Sequence, residues 1–138
     1  MASFADPLIL SFDTDTDLSG SAWCAVKLDS GGKLVLETDG TAMAIGVLTD
    51  DVADGSGSTA RCSVQVAGVA KVKAGATITL ATHLTLMGKA AGEATPATTG
   101  KYHFGIPLET AADNDIIPVL LAFGQRAGRR NVEYHDLK

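Results

Sequence analysis

Residues 62–75 read CSVQVAGVAKVKAG. The even positions, Cys62, Val64, Val66, Gly68, Ala70, Val72 and Ala74, carry no polar side chain, whereas the odd ones include Ser63, Gln65, Lys71 and Lys73. Side chains that alternate with a period of two point to opposite faces of a β-strand, and a helix would repeat every 3.6 residues instead. Fourteen extended residues at about 3.3 Å each exceed the length of an ordinary strand. Gly68 is therefore expected to mark a bend or bulge that divides the run into two arms.

The same alternation continues outward between Gly, Asp and Ser clusters, as in an all-β sandwich or barrel. AWCAVKL (22–28) puts Ala22, Cys24, Val26 and Leu28 on one face, DSGG (29–32) turns, and KLVLE (33–37) returns with Leu34 and Leu36 inward. Asp39-Gly40 is the next turn signal, because both residues tolerate positive φ. AMAIGVLT (42–49) reads as a strand interrupted by Gly46, and DDVADGSGSTA (50–60) as a polar loop. TITLATHLTL (77–86) alternates again, with Ile78, Leu80, Leu84 and Leu86 on one face, and GKAAGEATPATTG (88–100) is a second loop. KYHFGIPLE (101–109) and IIPVLLAFG (116–124) complete the strands, the latter apolar on both faces like a covered strand, with Pro118 suited to an edge, a start or a bulge. A short turn around Ala111 to Asn114 is the most helix expected. IGVLTDDVADGS (45–56) echoes FGIPLETAADND (104–115); either two related hairpin units or a shared strand-to-loop chemistry accounts for this, and the second is preferred.

The expectation is one small all-β domain, a β-barrel or β-sandwich with short strands, Gly-rich turns and extended terminal arms. Residues 1–21 form an N-terminal arm or first strand, 22–124 the β domain, and 125–138 a polar, basic C-terminal tail. With 138 residues the chain can bury a core without disulfides or metal. Its 46% hydrophobic residues include only seven aromatics, so the core is built from Val, Leu, Ile and Ala. Sixteen acids against 11 bases give a net charge of −5, which disfavours phosphate backbones. MASFADPLILSF has no basic n-region and too short an apolar run for a signal peptide or membrane span. Cys24 and Cys62 fall on apolar strand faces and read as small buried hydrophobes.

Chemistry is sparse. No G-x-S-x-G elbow occurs, and among the histidines His83 and His103 lie on polar strand faces while His135 lies in the charged tail. DTDTD (13–17) resembles the start of a calcium loop, but an EF-hand needs Gly at its sixth position and Glu at its twelfth, where the chain has Leu18 and Cys24. No Cys or His pair has zinc spacing, and GSGS (55–58) and GGK (31–33) lack the helix that aims N–H groups at phosphate. No catalytic, metal-binding or cofactor-binding residue is expected. AKVKAG (70–75) faintly resembles the modified lysine of biotinyl and lipoyl carrier domains, which would make Lys71 or Lys73 the acceptor.

Several stretches in order, AVKLDSGGKLVLETDGT (25–41), AIGVLTDDVADG (44–55), VQVAGVAKVKAGATI (64–78), FGIPLE (104–109) and IIPVLLAFG (116–124), together resemble the capsid decoration, or head cement, proteins of tailed bacteriophages. That resemblance implies a non-enzymatic virion protein, made in the host cytoplasm, that sits on the capsid exterior as a homotrimer and clamps neighbouring subunits of the major capsid protein. It implies no nucleic-acid or membrane partner and no cofactor. Candidate capsid contacts are the apolar arm residues Phe4, Pro7, Leu8, Ile9, Leu10 and Phe12, able to add a strand to a neighbour or to begin the domain's own sheet. Arg126, Arg129 and Arg130 of the tail could pair with capsid acids through forked hydrogen bonds, although a plain solvated tail is the preferred reading. Ala67, Val69, Val119 and Leu121 are candidate subunit-interface residues, because they add apolar surface where a polar face is expected or lie in the strand apolar all round. A carrier module and a carbohydrate- or cell-surface-binding β domain are the alternatives.

Overall fold

The computed structural model describes residues 7–49 and 52–126. Ten strands follow one another: β1 (Leu8–Thr14), β2 (Ala25–Leu28), β3 (Leu34–Leu36), β4 (Gly46–Leu48), β5 (Ala60–Ala67), β6 (Val69–Lys73), β7 (Leu86–Gly88), β8 (Ala94–Pro96), β9 (Tyr102–Pro107) and β10 (Ile116–Gln125). Among the described residues the one helical element is a 3-10 turn at Ala90–Gly92. The strands form two antiparallel five-stranded sheets, ordered β1-β5-β4-β2-β3 and β6-β10-β9-β7-β8. The stretch 62–75 spans both. Gly68, at φ 90°, separates β5 from β6 and carries the chain from one sheet to the other.

The two sheet orders are one order repeated: adding five to each strand number of the first gives the second. Residue-level geometry repeats with a sixty-residue offset. Gly32 and Gly92 share positive φ, as do Gly40 and Gly100. Asp29 N–H donates to the Lys33 carbonyl as Lys89 N–H does to that of Glu93, and Gly32 donates to Asp29 as Gly92 does to Lys89. Gly46 opposes Val26 in the first sheet, and Gly105 opposes Leu86 in the second. The chain therefore consists of two topologically identical units. The echo between 45–56 and 104–115 belongs to equivalent strands, β4 and β9, so the related-units reading stands and the preferred one does not.

The first unit closes around its own core: Val26, Leu34, Leu48, Cys62 and Val64 face inward, with Leu18, Phe12, Leu36, Val52 and Ala53 packed on them. Thr14 Oγ1 donates to the Leu34 carbonyl at 2.9 Å, drawing β1 toward β3 and curling the sheet. The second core gathers Ala70, Val72, Ile78, Leu86, Phe104, Ile117 and Val119 and takes in Ala25, Ala44 and Val47 from the first unit. Trp23 O accepts from Lys73 N–H and Gly40 O from Tyr102 N–H, tying the units further. Two curled sheets packed through a shared core make a sandwich, not one closed barrel.

Two expectations need correction. TITLATHLTL forms no continuous strand: Thr82 and His83 N–H both bond the Thr79 carbonyl, making a turn, and only Leu86 enters a strand, β7. Ile78 and Leu86 are buried, but Leu80 and Leu84 are exposed. The alternation there came from two separately buried anchors. The loop 88–100 contains β8, and the short turn expected around Ala111 to Asn114 is present, with Asn114 at φ 77°. Of the two readings of the arm, the described part follows the own-sheet one: from Leu8 it forms β1, paired with β5 from Leu8↔Ala67 to Thr14↔Ala60.

Candidate interaction surface

Placement of polar groups gives the site its context. Four aspartates build turns by accepting backbone N–H bonds two residues on: Asp17 from Ser19, Asp29 from Gly31, Asp39 from Thr41 and Asp54 from Ser56. Asp13 pairs with Arg61 at 3.5 Å, and Asp15 with Lys33 at 3.2 Å and with the Thr59 hydroxyl at 2.7 Å. Hydrogen bonds from neighbouring hydroxyls hold the Asp15, Asp39 and Asp54 carboxyls below the usual value. The DTDTD acids are thus used in turns and surface pairs, and no cluster of metal-binding type occurs among the described residues. His83 Nδ1 accepts the Thr79 N–H at 2.9 Å, and His103 Nδ1 bonds the Ala122 carbonyl at 3.1 Å, so both rings serve local structure. Cys24 and Cys62 are buried and unlinked, and burial pushes the Cys24 thiol up to about 11.

What the fold leaves open is apolar. In β10, Ile117 and Val119 point into the core, so Ile116, Pro118 and Leu120 point away from it. Leu120 stands opposite Val69 of β6 on one side and Ile106 of β9 on the other. This row is 41%, 38% and 37% exposed respectively, and Ile116 is 50% exposed. Leu108, just past β9, extends the patch. In the first unit the position equivalent to Ile106 is Val47, which is buried against the second unit. Among the described residues, the outer face of the second sheet therefore lacks the cover that its counterpart receives.

A second apolar region adjoins it. β1 is the edge strand of the first sheet, and its Leu8, Ile9 and Leu10 are all exposed. Leu8 pairs with Ala67, directly before the Gly68 bend and Val69, so edge and face meet there. An apolar strand edge with an exposed apolar sheet face beside it is a feature that folded proteins commonly blunt with charges, bulges or a covering segment.

At the far end of the face lies a cleft of about 440 Å³ lined by Trp23, Lys71, Ile116, Ile117 and Pro118. Trp23 sits at φ 70°, a left-handed conformation that costs a bulky residue about 1–3 kcal/mol. Its N–H to Leu48 O and its carbonyl to Lys73 N–H, each 3.0 Å, hold it there. The Lys71 ammonium rests 5.3 Å from the indole centroid.

The candidate residues distribute unevenly over this surface. Pro7, Leu8, Ile9 and Leu10 are exposed at the edge, whereas Phe12 is half-buried on the first core. Val69 lies in the exposed row and Ala67 beside it is half-buried. Val119 is fully buried and Leu121 packs against the same core, whereas strand parity leaves Leu120 and Ile116 exposed. Arg126 lines a separate polar cleft of about 280 Å³ with Thr82, Leu84, Thr85, His103 and Gln125, and its Nη1 donates to the Ala97 carbonyl. Phe4, Arg129 and Arg130 lie outside the described residues. Lys71 and Lys73 are within β6, not at a hairpin tip. Sequence reasoning passed over Trp23, Ile106 and Leu120; fixing Val119 inward would have exposed Leu120, but nothing local marks Trp23 as left-handed.

No family model and no curated protein matches the chain. Among solved structures it is similar to the N base of head fiber gp8.5 of bacteriophage phi29, with a TM-score of 0.65 and 17% identity over 83% of this chain and 95% of that one. At that identity the likeness is one of fold.

Proposed function

We propose that the chain is a non-enzymatic structural protein of a phage head, a homotrimer that docks on the capsid exterior and bridges neighbouring major capsid subunits. The observation that carries this reading is the similarity in fold, over most of both chains, to the base of a phage head fiber. The uncovered row Val69, Leu120 and Ile106, continuous with the β1 edge, supplies a contact surface suited to the task. Mass action gives the mechanism. A protein that binds only the assembled lattice stabilises it by RT ln(1 + [L]/Kd), and three linked copies multiply weak contacts.

The test is co-sedimentation of the purified protein with heads assembled from the major capsid protein of the same phage. Pelleting at a saturable ratio, with a native mass near three times 14.1 kDa, is expected. The Ile106→Ser and Leu120→Ser pair should weaken pelleting by at least about tenfold, the loss of roughly 1.4 kcal/mol, without unfolding the chain. Protein that stays in the supernatant at every concentration would overturn the proposal.

A further inference from the structure

The Trp23 cleft differs from the rest of the apolar face in carrying a cation without a carboxylate. Two lysines project from the outer side of β6. Lys73 is paired with Glu93 at 3.2 Å, whereas Lys71 has no ion pair among the described residues and lies over the indole. Ile116, Ile117 and Pro118 make the other wall, so the lining is apolar apart from that one ammonium. Trp23 is the chain's single tryptophan, and two backbone hydrogen bonds fix its left-handed backbone. A rigid aromatic wall costs little conformational entropy on binding, as at the anchor positions of many interfaces.

We propose that this cleft is an anchor pocket for a partner segment that places an apolar side chain between Trp23 and Ile116 and a carboxylate on Lys71. The occupant is argued from charge complementarity: an apolar group alone would leave the ammonium facing it, and a cationic one would be repelled. A carboxylate beside the apolar group completes Lys71 as Glu93 completes Lys73. This deepens the docking role proposed above and rests on it for the identity of the partner, a capsid-surface segment.

Three probes with the same eight-carbon tail separate the elements of the idea: octanoate, octyl glucoside and octylammonium. Tryptophan emission reports the cleft directly because no second indole competes. Octanoate should shift the emission saturably, octyl glucoside about tenfold more weakly, and octylammonium more weakly still. Lys71→Gln should erase the preference for octanoate over octyl glucoside, and Ile116→Ser should weaken both. Both positions are exposed, so folding, checked by circular dichroism, should persist. Equal binding of the three probes, absence of any saturable shift, or a preference that survives Lys71→Gln would each overturn the proposal. Pelleting with heads is read separately: its failure with intact octanoate selectivity removes the head partner and leaves the pocket, and the reverse removes the pocket alone.

Discussion

Glu37 and Gly88 show how single residues join the two units. Glu37 is buried, and its carboxylate accepts the Gly40 N–H at 2.9 Å through Oε2 and at 3.1 Å through Oε1, fixing the turn after β3. Glu37→Ala would leave that donor without its partner and should cost about 1–3 kcal/mol in denaturant unfolding. Gly88 of β7 lies against the Glu37 backbone, where an added Cβ would sit on its carbonyl and 2.7 Å from Oε1. Gly88→Ala should therefore destabilise by about 1–3 kcal/mol, whereas Gly57→Ala, with open space around it, should fall within about 0.5 kcal/mol of the parent. The turn aspartates give a pH dependence of definite sign. The Asp15, Asp39 and Asp54 carboxyls are held below 3.8 in the folded chain by hydrogen bonds to the charged form. Their contribution is present above the unfolded value and is lost as pH falls through the lowered folded values. Carboxyl chemical shifts titrated by NMR should place all three midpoints below 3.8, and the part of the stability that these three carboxyls contribute should be lost only in acid.

The break of the stretch 62–75 is an element-scale feature, and it was legible because a run of fourteen residues outlasts a strand and Gly68 interrupts it. β5 ends at Ala67 and β6 begins at Val69, and the intervening φ of 90° is open to glycine but strained for an L side chain. Gly68→Ala should cost about 1–2 kcal/mol and shift the thermal midpoint down, and unchanged stability would mean that the bend is relaxed. β9 and β10 were legible for the same reason of local patterning. The surface was less so. Residues 116–124 are apolar on both faces, so period two carries no information on which face is inward; the fold turns Ile117 and Val119 inward and leaves Ile116 and Leu120 exposed. The duplication was legible only as the less preferred reading of the echo between 45–56 and 104–115, because the units share turn geometry, as at Gly32 and Gly92, more than side chains: the equivalents of Leu34 and Gln65 are Ala94 and Leu120.

At the scale of the molecule, the two units are alike in order but unequal in independence. The first core draws all its residues from the first unit, from Phe12 to Val66. The second needs Ala25, Ala44 and Val47 from the first to cover Val72, Phe104 and Val119. Cutting the chain at the Gly68 bend separates these dependencies. Fragment 69–138 would expose the apolar side that Val47 covers, and units of roughly 60 residues are marginal even with a complete core. It should show little cooperative unfolding and bind hydrophobic dye. Fragment 1–67 keeps its core but uncovers Ala25 and Val47, so it should retain more β signal and more protected amides than its counterpart. Mixing the two should restore dispersed amide resonances and a single cooperative transition, because the shared core and the hydrogen bonds Lys73 N–H to Trp23 O and Tyr102 N–H to Gly40 O can re-form between separate chains. If 69–138 folds alone as well as 1–67 does, the shared core is not what couples the units.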